Sequence, residues 1–183
     1  MSADATESDP DAASSADHPE FPHPPRTFTD GAGRAIRFRA VDDSAESSDD
    51  RDALTAMYDD FGPADRAQGI PPASPRRRED WLDRLSAGIE VVGWHDERAV
   101  AHGILLGGGP GHELALFVHP DYRRAGVGSA TIRTLLGRGR SAGVERVWLS
   151  VQRTNRPAVR LYRNVGFETA GSGTGELEMA RSL

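Results

Sequence analysis

The stretch that most constrains the fold runs from Glu113 to Ala130, ELALFVHPDYRRAGVGSA. An apolar, strand-forming run from Leu114 to Val118 passes through a Pro-containing link into a turn with Gly126 and Gly128, and residues compatible with a helix follow. A chain that goes strand, glycine turn, helix aims several backbone N–H groups and the positive end of a helix dipole at one point. Such a point holds an anion without matching side chains. Alone, the turn at 123–128 is a weak signal, because a glycine pair between strand and helix is often only a tight connection.

The remainder reads as one α/β domain behind a tail. Residues 1–33 are rich in Asp, Glu, Ser, Ala and Pro and poor in aliphatic side chains. That composition cannot offset chain entropy, so a disordered acidic tail is expected over 1–33 and a single domain over 34–183. Ile36, Phe38 and Ala40 alternate with Arg37 and Arg39, the period of a half-buried strand over 35–41. Leu54, Met57, Tyr58 and Phe61 recur at helical spacing behind an acidic first turn, which predicts a helix over 50–60. Gly62, Pro63, Gly69, Pro71, Pro72 and Pro75 make 62–75 a loop, of a length that often binds or covers something. Trp81, Leu82 and Leu85 mark a short helix after it.

Strands are predicted over 89–94, 100–106 and 112–118, the first two joined by a short polar connection and the last two by a Gly-rich turn at 107–111. Val127, Ile132, Leu135 and Leu136 share one face of a helix over 127–140. Val147, Leu149 and Val151 alternate as a strand, and Ala158, Leu161, Tyr162 and Val165 form the stripe of a last helix begun by Pro157 and stopped by Gly166. Two closing strands, 167–170 and 176–180, give the order β-α-α-β-β-β-α-β-α-β-β.

Composition removes several classes of chemistry. The chain has no cysteine, which excludes disulfides, thiolate metal sites and a cysteinyl acyl intermediate. All 22 basic residues are arginine and the formal charge is −6, which weighs against a general phosphate-backbone binder. The Arg76–Arg78 cluster is local. There is no long apolar run and no basic-then-apolar leader, so no membrane partner and a cytoplasmic location are expected. An acidic, lysine-free chain fits either a salt-rich cytoplasm or a GC-rich genome.

A second motif changes the weight of the first. Asn155-Arg-Pro-Ala-Val-Arg-Leu-Tyr-Arg-Asn-Val-Gly-Phe167 follows a strand and runs into another. Together with Arg123-Arg-Ala-Gly-Val-Gly128, it resembles the GNAT superfamily of acetyl-CoA-dependent N-acetyltransferases. That family is marked by Arg/Gln-x-x-Gly-x-Gly/Ala followed by Asn-x-x-Ala-x-x-Leu-Tyr-x-x-x-Gly-Phe, and the resemblance covers about 34–183. It implies a mixed, mostly antiparallel sheet flanked by helices, parted between the strand ending at Val118 and the strand near Val147 so that acetyl-CoA wedges between them. No metal is implied.

Carried over residue by residue, the resemblance places the coenzyme pyrophosphate on Arg123, Arg124, Ala125, Gly126, Val127, Gly128 and Ser129, with the pantetheine arm along the backbone of Phe117 and Val118. Asn155 would contact the coenzyme, although an asparagine before a helix also serves as its cap. Tyr162 would face the thioester sulfur, although it also lies on the helix's apolar stripe. Glu113 matches a general base. A lysine-type amine has a pKa about 3.4 units above pH 7, so presenting it neutral costs about 4.6 kcal/mol, and an ordinary carboxylate helps only if its pKa is raised or it acts through water. His102, His112 and His119 lie on or beside the same strands.

The implied reaction is direct attack of a primary amine on the thioester in a ternary complex, with a protein lysine the leading acceptor and a small amine or protein N-terminus as alternatives. A non-catalytic acetyl-CoA sensor or docking module would carry the same motifs. Neither the sequence nor the resemblance separates a monomer from a homodimer.

Overall fold

A computed structural model describes residues 21–41, 47–66, 70–109 and 111–183. Eight strands form one sheet: β1 (Arg26–Thr29), β2 (Ala35–Val41), β3 (Ile89–His95), β4 (Arg98–Gly108), β5 (Gly111–Val118), β6 (Arg146–Gln152), β7 (Glu168–Ser172) and β8 (Glu176–Ser182). Their order is β1-β2-β3-β4-β5-β6-β8-β7. Every neighbour pair is antiparallel except β5 with β6. Four helices, α1 (Ser47–Asp59), α2 (Pro75–Leu85), α3 (Val127–Ser141) and α4 (Arg156–Asn164), flank it. The expected α/β architecture, a mixed and mostly antiparallel sheet flanked by helices, is present.

Both faces of the sheet's centre are covered, and the strand period assigns each residue to a face. Val91, Leu105, Leu114, Val147, Leu149 and Met179 pack with Ile132, Leu135 and Leu136 of α3 and Val159 of α4. Val92, Trp94 and Ile104 turn the other way, onto Leu54, Met57 and Tyr58 of α1 and Trp81, Leu82 and Leu85 of α2. In α3, the buried Thr131 and Thr134 hydroxyls donate to the carbonyls of Val127 and Ala130, each at 2.8 Å, which removes their desolvation cost. Arg78, inside the arginine cluster, is buried and joins α2 to α1 through Asp59.

Three boundaries differ from expectation. The break between tail and domain does not fall at residue 34, because β1 lies inside the expected tail and pairs with β2, Phe28 opposite Ile36. Phe21 is buried as well, against α3, with the Arg181 guanidinium 4.7 Å from its ring centre. Residues 1–20 lie outside the described residues. The 107–111 turn is tighter than expected, since Gly107 and Gly108 finish β4 and Gly111 begins β5. The 62–75 loop contains a 3-10 turn, Pro63–Asp65, and Pro75 already starts α2; 67–69 lie outside the described residues.

Candidate active site

The parallel ladder between β5 and β6 pairs only His112 with Val147 and Glu113 with Trp148. Beyond that rung β5 keeps its pairing with β4 as far as Val118, while β6 pairs with β8. The β5 edge from Leu114 to Val118 thus has no strand on its β6 side. A parting of this kind leaves main-chain N–H and C=O groups able to bond an extended ligand.

The chain leaves β5 through His119 and a 3-10 turn, Pro120–Tyr122, and reaches the glycine turn. Arg124 has φ 58° and Gly126 φ 87°, both left-handed, so the turn reverses sharply before α3. Among the described residues, none of the amides from Arg124 to Ser129 donates a hydrogen bond. The Arg123 amide is already used, donating to the Pro120 carbonyl at 3.3 Å. Six consecutive free amides at a helix N-terminus fit an anionic group such as a pyrophosphate. Gly126 cannot carry a side chain there without strain, and a Cβ would also come within 3.3 Å of Phe28 Cζ. At Gly128 a Cβ would lie 3.4 Å from Leu161 and 3.5 Å from Val118, which shows how closely α3, α4 and β5 converge.

The turn is braced from behind by Asp30 and Gly31, which the sequence reading left in the tail, and by Arg34, the first residue of the expected domain. Gly31 N donates to the Ala125 carbonyl at 2.8 Å, and the Arg34 guanidinium donates to the Asp121 carbonyl at 3.1 Å. Asp30 closes this brace by accepting from the amides of Ala32 and Arg34 and from Arg34 Nε, at 2.9, 2.9 and 2.8 Å. Desolvation pushes its carboxyl upward, but the Arg34 and Ala32 bonds outweigh it and its pKa lies below the ordinary value. The brace engages the Ala125 and Asp121 carbonyls and leaves the 124–129 amides unbonded.

The side chains of the two motifs meet different partners. Arg124 is exposed, but the Arg123 guanidinium is engaged away from the turn, on Asp65 and on the Val118 carbonyl at 3.0 Å. Asn155 caps α4, its Oδ1 accepting from Ala158 N at 3.3 Å. Tyr162 sits on α4 beside Phe167, ring centres 5.9 Å apart, and burial pushes its hydroxyl up to about 12.

Glu113 is exposed at the last joined rung, between Leu106 and Trp148. By strand alternation it shares a face with Ala115 and Phe117, the face that α1 and α2 cover. Phe117 lies four residues further along β5, about 13 Å away at strand rise. The indole Nε1 of Trp148, beside Glu113, is closed off from solvent and has no partner among the described residues.

The three histidines are placed differently. His112 stays partly exposed near the Glu113 rung, whereas His119 is buried against Arg98 and Asp60. His102 is fully buried, its Nδ1 2.7 Å from the Tyr58 hydroxyl and its Nε2 2.6 Å from Glu90. Burial, with the nearby Glu90 charge, raises the Tyr58 hydroxyl well above its ordinary value, so Tyr58 keeps its proton, and the His102 ring links it to Glu90 through its two nitrogens. The Tyr58 ring packs edge-on against Phe117 at 5.4 Å, so this polar chain supports the β5 wall from behind.

Comparison with known proteins gives the same assignment. The chain is 33% identical over 125 residues to the mycothiol acetyltransferase of Saccharomonospora viridis, covering 64% of this chain and 41% of that protein. It is 40% identical over 61 residues to the ribosomal protein bS18-alanine N-acetyltransferase of Escherichia coli, 32% of this chain and 41% of that one. The chain thus spans about two fifths of the length of these curated relatives. In fold it matches the GNAT domain of S. lividans PAT, with a TM-score of 0.73 at 17% identity, covering 86% of this chain and 96% of that domain. It also matches a PaiA N-acetyltransferase of Thermoplasma acidophilum in complex with coenzyme A, with a TM-score of 0.62 at 14% identity, covering 81% and 99%. The acetyltransferase (GNAT) family model matches residues 54–167, more than half of the chain, from α1 through the site to the end of α4. The chain belongs to the GNAT family of acetyltransferases.

Proposed function

We propose that the protein is an N-acetyltransferase that moves an acetyl group from acetyl-CoA to a primary amine by direct attack in a ternary complex. The observation that carries this reading is the single parting of the sheet between β5 and β6, with a row of unbonded amides, Arg124 to Ser129, at its open end. Acetyl-CoA supplies an activated acyl group on a thiolate leaving group. The chain's part is to hold and orient: amides 124–129 bind the pyrophosphate, the backbone of Phe117 and Val118 aligns the arm, and holding both reactants side by side lowers the entropic barrier. Asn155 is proposed at the coenzyme through its Nδ2 group, since its Oδ1 serves the helix cap.

Glu113 is proposed to take the amine's proton. Its exposure favours relay through water over direct contact. Tyr162 is proposed to steady the departing sulfur by donating a hydrogen bond. A phenol at about 12 beside a thiol near 8.5 makes complete proton transfer uphill by about 4.8 kcal/mol, so the bond and not the transfer is the useful contribution.

The acceptor proposed first is a protein lysine. The alternatives are a peptide N-terminus and a small amine, since the curated relatives are named for a ribosomal protein alanine and for mycothiol. The test is release of free coenzyme A from acetyl-CoA with three probes: a lysine peptide with a blocked N-terminus, a lysine-free peptide beginning with alanine, and a small amine such as glucosamine. Mass spectrometry of each probe locates the acetyl group. Coenzyme A binding without release over any probe would favour the sensor reading.

A further inference from the structure

Arg123 is the first residue of the coenzyme motif, yet its side chain serves another part of the molecule. Nη1 pairs with Asp65 in the 3-10 turn that follows α1, Nε donates to the Val118 carbonyl at 3.0 Å, and the guanidinium carbon lies 5.5 Å from the centre of the Phe61 ring. These partners come from two places far apart in the chain: Val118 at the end of β5, and Phe61 and Asp65 in the connection that follows α1. Asp65 is prepared for the role from its own side. Its other oxygen accepts from Gly62 N at 2.9 Å, and Arg66 Nη2 bonds the Phe61 carbonyl at 2.7 Å, so the 61–66 segment is internally knotted. Burial works to raise the Asp65 carboxyl, but the Arg123 and Gly62 bonds outweigh it and leave it lowered, an anion matched to the arginine.

The segment held in this way lies on the face of β5 to which Glu113, Ala115 and Phe117 point. Phe61 packs on Tyr58 at 5.5 Å, and Tyr58 packs on Phe117. We infer that Arg123 is a positioning residue for the acceptor: it fixes the 61–66 segment as the wall past which the amine approaches, while coenzyme binding is left to the free amides that follow it, 124–129. This rests on the acetyltransferase reading above, and it separates two roles that the motif alone would merge.

The experiment compares wild type with Arg123→Gln, Asp65→Asn and the double variant. Coenzyme A affinity is measured by calorimetry, amide exchange is read at Gly62 and at residue 65, and steady-state kinetics use whichever of the three probes the wild type acetylates. The expected result for Arg123→Gln is coenzyme A affinity within threefold of wild type, exchange at least tenfold faster at both amides, and an acceptor KM raised about tenfold with kcat within threefold. Asp65→Asn should reproduce the kinetic change, and the double variant should be no worse than either single one, as coupling through one contact requires. A tenfold or greater loss of coenzyme A affinity in Arg123→Gln, unchanged exchange at the two amides, an unchanged acceptor KM, or additive effects in the double variant would each overturn the inference. If wild type acetylates none of the probes, the acetyltransferase reading fails on its own account, and the calorimetry and exchange still decide whether Arg123 holds the segment or the phosphate.

Discussion

Glu113 and Trp148 face each other across the last rung that joins β5 to β6. The candidate base is therefore fixed at the closed end of the parting, where the two strand directions are still set by each other. Replacing it with Gln keeps its shape and removes its charge. Glu113→Gln should lower kcat about 100-fold, within the usual range for loss of a general base, and leave coenzyme A affinity unchanged. Activity within twofold of wild type would remove Glu113 from the mechanism.

Tyr162→Phe should lower kcat only about tenfold, the scale of one hydrogen bond, and not the larger amount expected for an obligatory acid. The same variant has a stability signature. The folded hydroxyl titrates at about 12 against about 10 when unfolded, so the unfolded chain releases this proton first. Its contribution is complete below pH 10 and is lost as the pH rises toward 12. Thermal melts between pH 9 and 11.5 should show wild type losing stability faster than Tyr162→Phe. Parallel curves would mean that the hydroxyl is not shielded.

Gly126→Ala tests the turn. An alanine at φ 87° costs about 1–2 kcal/mol, and its Cβ would press on Phe28. The variant should melt lower and bind coenzyme A more weakly, whereas Gly143→Ala, at φ 80° but with nothing within 4 Å and far along the chain from the turn, should lose stability without weakening coenzyme A binding.

A chain beginning at Phe21 should fold and bind coenzyme A as the full chain does, and a chain beginning at Arg34 should not. The shorter one loses Phe21, whose burial is worth roughly 2–3 kcal/mol, together with Phe28 and the Gly31 bond to Ala125. Equal melting temperatures and equal coenzyme A affinity for the two would show that β1 and the brace contribute nothing.

His102→Ala strands the Tyr58 hydroxyl and the Glu90 carboxylate together in a closed interior. A loss of about 3 kcal/mol is expected in chemical denaturation, and the Glu90→Gln, His102→Gln pair should recover part of it by rebuilding neutral hydrogen bonds. A His102→Ala protein as stable as wild type would contradict the network.

The fold was legible where periodicity was strong. Leu54 to Phe61, Val127 to Leu136 and Val147 to Val151 announce their elements through apolar spacing alone, and the Asn155–Phe167 segment identified the partner of the glycine turn. Strand β1 was not legible because four residues with one aromatic give no period; it is held by its pairing with β2 and by Phe28 lying against Gly126, nearly a hundred residues further along the chain. The direction of a long side chain was equally hidden. Arg123 and Asp65 are separated by 57 intervening residues, and nothing in the motif says that this guanidinium turns toward the α1–α2 connection. His102 could be named as a titratable group on a central strand, but only the packing of α1 and the pairing with β3 show that Tyr58 and Glu90 occupy both its nitrogens.

The short join between β5 and β6 has a mechanical meaning. Elsewhere the sheet is laced along whole strands, from Ala101 to Gly108 in β4 and from Arg146 to Gln152 in β6, so each half is a stiff blade. A change in the angle between the two halves would fall at the rungs of His112 and Glu113, where the fewest ladder pairs resist it. A small change in the angle between the blades would widen or narrow the far end of the gap by several times the displacement at the join. Glu113 sits at the pivot of that lever, where its position would change least.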